Sequence, residues 1–179
     1  KEAGEKLYLV GESMDELGAS EISFMFRDEN PSMGIGGNVP SLPNPENNLN
    51  TYRTLSRTIR QGLVQTSHDC SEGGVGVAIA EMCIGGRIGA TIDLDGTGDN
   101  SLWARLWGES LGRFIIGVKP ENEERWLKEM SAHKVTYLGK TEQQSNLIIS
   151  DGFDEIVNLD VEDLVSSWQK TLDMTGGAQ

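Results

Sequence analysis

The sequence predicts an α+β fold, a layered mixed sheet with flanking helices in one domain over residues 1–179. Three observations carry that reading. Short apolar runs with β-branched residues, Leu7 to Val10 and Gly112 to Val118, have the length and flanking glycines of buried strands. Leu49, Tyr52, Leu55, Ile59 and Leu63 recur at spacings of three and four, the period of a helix with one apolar face. Strands and helices also follow one another without a regular strand–helix–strand beat, which disfavours a purely parallel sheet.

Taken in order, Leu7 to Val10 is a strand ending at Gly11, and Asp15 to Glu21 is a polar, glycine-containing loop. Ile22 to Phe26 is short, either a strand or a helical turn. The region from Asn30 to Asn48 collects Pro31, Pro40, Pro43 and Pro45 with Gly34, Gly36 and Gly37, and reads as a loop. The helix from Asn48 to Val64 follows, with Arg53, Arg57 and Arg60 on its polar face. A second helix from about Gly74 to Met82 stops at Gly85-Gly86, and Arg87 to Leu94 is a strand. Asn100 to Trp107 is helical. Pro120 with Glu121, Glu123 and Glu124 opens another helix, because proline suits its first turn and acids its positive end. Trp126, Leu127 and Met130 form that helix's apolar face. Val135 to Leu138 and Leu147 to Ser150 are short strands. Asp160 caps a last helix with Val161, Leu164, Val165, Trp168 and Leu172 inward, and Gly176 to Gln179 is a tail.

A chain of 179 residues buries roughly 70% of its unfolded surface, enough for a core without staples. Fifteen Lys and Arg against 28 Asp and Glu leave a net charge of -13. That balance excludes nucleic acid and anionic membrane surfaces as partners, since both need clustered cations. Any phosphorylated ligand must be met by backbone N–H groups, a few local cations or a metal ion. Cys70 and Cys83 lack metal-ligand spacing and read as reduced thiols of a cytoplasmic protein. No signal peptide or long apolar run is present. The start at Lys1, without methionine and almost at once in a strand, is that of a piece of a longer polypeptide.

The segment with most chemistry is Ser67-His68-Asp69-Cys70-Ser71-Glu72-Gly73-Gly74, which runs into a helix. Paired glycines let a ligand approach the backbone, and the N–H groups of a new helix suit a phosphate. Asp69 offers the hard oxygen that Mg²⁺ takes. The plainer readings stay open beside this one. Asp69 or Ser71 can simply cap the helix, and the glycines can serve tight packing. His68 suits a buried hydrogen-bonding role better than catalysis, His133 an exposed position, Cys83 the core, and Cys70 a small filler. Arg113, a cation beside an apolar run, suits an anion or an internal carboxylate.

These residues resemble a known family. Ser67 to Met82, followed by Gly85 to Leu94, is similar to the C-terminal part of the phosphoribosylformylglycinamidine synthases, in their synthetase subunit. Leu9 to Ser13 with Asp15 to Glu21, Gly108-Glu109-Ser110 through Arg113-Phe114 to Glu121, and Tyr137 to Lys140 resemble further blocks in the family's order. The resemblance implies a C-type domain of an ATP-dependent ligase. That enzyme converts formylglycinamide ribonucleotide and glutamine-derived ammonia to formylglycinamidine ribonucleotide in purine biosynthesis. It implies ATP and Mg²⁺ as cofactors, with His68, Asp69, Ser71, Gly73 and Gly74 near a nucleotide phosphate and Asp69 at the metal. It implies no catalytic residue in this chain and no activity for it alone. Its partners would be the N-terminal domains of the same polypeptide, a glutaminase subunit and a small bridging subunit. Glu72 and Val75 stand where Asp and Leu are common, and the proline-rich approach over Val39 to Glu46 departs from the pattern. Two other readings are a selenophosphate synthetase-like enzyme of the same superfamily and a packing domain that binds no ligand.

Overall fold

The computed structural model describes residues 2–26 and 37–170. Its elements are β1 (Lys6–Val10), α1 (Glu21–Phe26), α2 (Pro45–Arg60), β2 (Thr66–Asp69), α3 (Gly74–Gly86), β3 (Gly89–Asp93), α4 (Leu102–Trp107) and β4 (Phe114–Val118). After a short 3₁₀ turn at Pro120–Asn122 come α5 (Glu123–Glu129), β5 (Val135–Glu142), β6 (Asn146–Asp151), β7 (Asp154–Asp160) and α6 (Val161–Lys170). Pro31, Gly34, Gly36, Leu172 and the tail from Gly176 lie outside the described residues.

All seven strands join one mixed sheet in the order β2-β4-β1-β5-β3-β6-β7. Every pairing is antiparallel except the parallel β3–β6. The predicted layered α+β architecture is the one observed. β1 sits in the interior of the sheet and is buried on both faces, which is why it reads as a continuous apolar run. Leu7 and Leu9 face one core with Ile92, Ile115 and the apolar residues of α3 and α6. Tyr8 and Val10 face a second core with Ile116, Val118, Leu55, Trp126 and Met130. The alternation of successive side chains thus builds a helix layer on each face.

Several elements differ from the sequence reading. α2 begins three residues earlier, at Pro45, where proline needs no N–H and the Asn44 side chain accepts from Asn47 N at 3.0 Å. Its buried residues are Thr51, Thr54, Leu55 and Thr58, whereas Leu49 and Ile59 are 46% and 43% exposed. Leu63 is buried beyond the helix end. The threonine face is inward because its hydroxyls are satisfied there. Thr51 Oγ1 and Thr54 Oγ1 lie 3.0 Å from His133 Nδ1 and Nε2, and Thr58 Oγ1 donates to Leu55 O at 2.9 Å. His133, expected at the surface, is therefore a half-buried bracket between α2 and the turn before β5.

α3 continues through Gly85-Gly86 to its left-handed cap at Arg87. Leu127 and Trp168, expected inward, are 37% and 50% exposed. Asp160 does cap α6, accepting from Glu162 N at 2.7 Å. β2 and β7 are strands the sequence reading lacked. Both are sheet edges with little burial, so neither carries an apolar alternation.

Candidate functional site

The segment Ser67 to Gly74 is the edge strand β2 followed by a tight turn into α3. β2 pairs with β4 so that His68 lies opposite Ile115 and Asp69 opposite Phe114. Successive residues of a strand point to opposite faces, and the two polar side chains part company there. Asp69 and Ser71 line an open cavity of about 630 Å³ with Tyr52, Glu109, Arg113 and Phe114. His68 lies in a different groove on the other face. Of the predicted binding residues, the structure brings Asp69 and Ser71 together and places His68 apart from them.

Neither Asp69 nor Ser71 caps α3. The Ser71 hydroxyl donates to Asp69 Oδ2 instead, and that bond holds the exposed Asp69 carboxyl below the usual carboxylate range, with help from a backbone donor. The N-cap is Gly73, in the left-handed region at φ 75°, and Gly74 follows at φ 64°. A Cβ on Gly74 would sit well inside van der Waals contact of Gly108 O and 3.0 Å from Leu106 O. Gly74 therefore has a packing reason, the close approach of the end of α4 and Gly108, whereas a Cβ on Gly73 would meet the Val77 side chain.

Two amides at this turn are already engaged. Gly73 N donates to Glu109 Oε1 at 2.9 Å, and Gly74 N to Ser71 O at 3.1 Å. Glu109 Oε1 also accepts from Glu21 N at 2.9 Å, tying α1 to the start of α3. A carboxylate at the positive end of a helix is favourable. In the sequence Glu109 stands out only within the Gly108-Glu109-Ser110 block of the family resemblance. The signal was its place just before the strand that pairs with β2.

Behind the turn lies Arg113, 1% exposed. Its guanidinium donates to Ser110 O at 3.0 Å, to Ser13 Oγ at 2.9 Å and to Gly108 O. Burial lowers its pKa against the opposing pull of Cys70, Glu16 and Glu109. Arg113 is a scaffold for the 108–113 turn, with its donors spent on carbonyl and hydroxyl oxygens. Glu16, also buried, accepts from Ser41 N at 2.9 Å and Ser41 Oγ at 2.7 Å.

Cys70 is buried, and burial pushes its thiol up to about 12. A thiol in that state is a poor nucleophile. Iodoacetamide at pH 8 is expected to label Cys70 at under a tenth of the rate seen after unfolding in urea. Equal rates would show that the thiol is exposed. The raised pKa also means stability is lost as pH climbs from the unfolded thiol's value, about 8.5, toward 12, because the unfolded state releases this proton first.

For Mg²⁺, Asp69 supplies one exposed carboxylate, and no cluster of three or more His, Cys, Asp or Glu among the described residues is arranged to hold a metal. That donor set fits an ion that keeps several waters and takes its other oxygens from a phosphate. No described helix is long and apolar enough to cross a membrane.

An α+β domain with helices on both sheet faces, opening a cavity beside a glycine turn, is the class that the fold and site define. More particularly, the chain belongs to the family described as "AIR synthase related protein, C-terminal domain", which matches residues 2–152. The fold is shared with PurL from Thermotoga maritima complexed with FGAR, at TM-score 0.73 and 19% identity over 92% of this chain and 28% of that one. T. maritima phosphoribosylformylglycinamidine synthase II is similar at TM-score 0.71 and 17% identity over 92% and 26% of the respective chains. E. coli HypE, a hydrogenase maturation protein, is similar at TM-score 0.58 and 16% identity over 90% and 50%. This chain thus spans about a quarter of the PurL chains it resembles.

Proposed function

We propose that this is the C-type domain of an ATP-dependent C–N ligase of purine biosynthesis, a phosphoribosylformylglycinamidine synthase. Its Asp69 turn would face a nucleotide phosphate. The observation that carries the reading is the exposed Asp69 carboxylate, oriented by Ser71 on an open cavity in this family's domain. Solved relatives support it, since T. maritima PurL has been captured with ATP and with ADP. In the whole enzyme, ATP phosphorylates the amide oxygen of formylglycinamide ribonucleotide, and ammonia from glutamine displaces phosphate. Asp69 and Ser71 would hold Mg²⁺ and phosphate oxygens, and Mg²⁺ would neutralise phosphate charge. With Gly73 N already bonded to Glu109, cation-mediated binding through Asp69 is favoured over a bare helix terminus. The remaining groups of the active site would come from N-terminal domains of the same polypeptide, and ammonia from a glutaminase subunit joined through a small bridging subunit.

Calorimetric titration of ADP, with and without Mg²⁺, into the chain and into Asp69→Ala tests the site. The expected result is saturable heat that requires Mg²⁺ and weakens at least tenfold in the variant. Equal binding by wild type and Asp69→Ala would remove Asp69 from the site. No heat from folded protein would leave the turn a packing device in this chain.

A further inference from the structure

The apolar period of α2 assigns Tyr52 inward, yet it is 37% exposed and lines the Asp69 cavity. Its ring is held in place there. The centroid lies 5.6 Å from that of Phe114, with the two planes at 83°. The hydroxyl rests over Gly112, where an added Cβ would come within 2.8 Å of it. Perpendicular rings meet edge to face, so Phe114 covers at most one face of Tyr52. A positioned aromatic face is therefore left toward the cavity. Pro40 and Leu111, the latter 48% exposed, add apolar surface to the same wall.

The sheet sets the spacing between this ring and Asp69. Asp69 pairs with Phe114 across β2 and β4, and residues directly opposite share a face with Cβ atoms about 5 Å apart. Asp69 to Phe114 and Phe114 to Tyr52 are thus two steps of similar length. The cavity has oxygen ligands at one end, Asp69 and Ser71, and an aromatic, apolar wall at the other. A nucleoside diphosphate has the matching layout. Its phosphates take Mg²⁺, its ribose is the spacer, and the face of its base stacks on aromatic rings. The volume of about 630 Å³ falls within the roughly 300–1,000 Å³ of small-molecule sites. Among the described residues Arg113 is the one cation on this wall, and its guanidinium is engaged by Ser110 O, Ser13 Oγ and Gly108 O. The aromatic end therefore offers no rival phosphate site.

We propose that Tyr52 is the platform on which the base of the nucleotide stacks, so that this domain meets both ends of a purine nucleoside diphosphate. The inference rests on the reading that Asp69 faces a nucleotide phosphate. Calorimetry with ADP and with inorganic pyrophosphate, both in Mg²⁺, separates the two ideas. Wild type is expected to bind ADP at least fivefold more tightly than pyrophosphate. Tyr52→Leu should lower ADP affinity at least fivefold and change pyrophosphate affinity less than twofold. Tyr52→Phe, which keeps the ring, should restore ADP affinity to within twofold of wild type. Proton spectra add a reading from the unaltered chain: ADP, and not pyrophosphate, should move the Tyr52 ring resonances upfield, assigned by their loss in Tyr52→Leu. Circular dichroism checks that each variant is folded. Equal affinity for ADP and pyrophosphate, both lost in Asp69→Ala, would overturn the platform and leave the phosphate site standing. Unchanged ADP affinity in Tyr52→Leu, equal losses for both ligands, or unshifted ring resonances would reduce Tyr52 to a packing residue. No binding of either ligand by folded wild type would overturn both readings for this chain.

Discussion

Replacing Gly74 with alanine is expected to destabilise the chain by about 4 kcal/mol, from a left-handed backbone that costs a non-glycine residue about 1–3 kcal/mol and overpacking of similar size. The clash is with backbone, Gly108 O and Leu106 O, so no side chain can rotate away. Against a total stability of about 5–15 kcal/mol, such a loss would move the urea midpoint far to the left. Gly96→Ala is the control, because Gly96 also has positive φ, +83°, but nothing lies within 4 Å of its added Cβ. It isolates strain from clash and should cost only about 1 kcal/mol. Equal midpoints for the two variants would show that the turn of Leu106 to Gly108 yields, and that Gly74 is not fixed by packing.

Arg113→Met is expected to cost about 3–5 kcal/mol, since each buried acceptor left without a donor costs about 1–3 kcal/mol. Gly108 O, Ser110 O and Ser13 Oγ all lose their guanidinium donor at once. Arg113→Lys should recover only a minor part. An ammonium is a point donor and cannot span acceptors arranged around a planar fork. Because the 108–113 turn carries Glu109 against Gly73 N, loosening it should also weaken any nucleotide binding at Asp69 by more than tenfold. Urea unfolding with matched ADP titrations separates the effects. Wild-type stability in Arg113→Lys would mean that charge, and not the fork, holds the turn.

The parts of this fold that were legible are those whose signal is local. β1 and β4 are runs buried on both faces, or nearly so, and their apolar continuity marks them, whereas β3 is marked by alternation and the β-branched Ile88, Thr91 and Ile92. Asp160 is a capping residue whose hydrogen bond reaches only to Glu162 N, and local chemistry of that kind is visible in a string of letters. The face that α2 buries is a different matter. Its threonines are inward because His133, about eighty positions away, presents a ring nitrogen to each of two hydroxyls. A hydrophobic stripe cannot report that a distant partner satisfies polar groups, so Leu49 and Ile59 were assigned inward and lie largely outward.

The candidate site divides in the same way. Composition and spacing by themselves determined that residues 67–74 are a polar segment feeding glycines into a helix and that an acidic chain must meet phosphate with few cations; they offered Arg113 an anion or an internal carboxylate, whereas it donates to carbonyl and hydroxyl oxygens. Only the tertiary structure decided that Asp69 and His68 face opposite sides of the sheet, because the pleat sorts neighbours and β4 fixes the register. It alone decided that Glu109 occupies the Gly73 amide and that Gly74 is small for the sake of Gly108 O. The physical reason is range. Propensity and capping act over a few residues, whereas a site is closed by side chains that the sheet brings together from far along the chain.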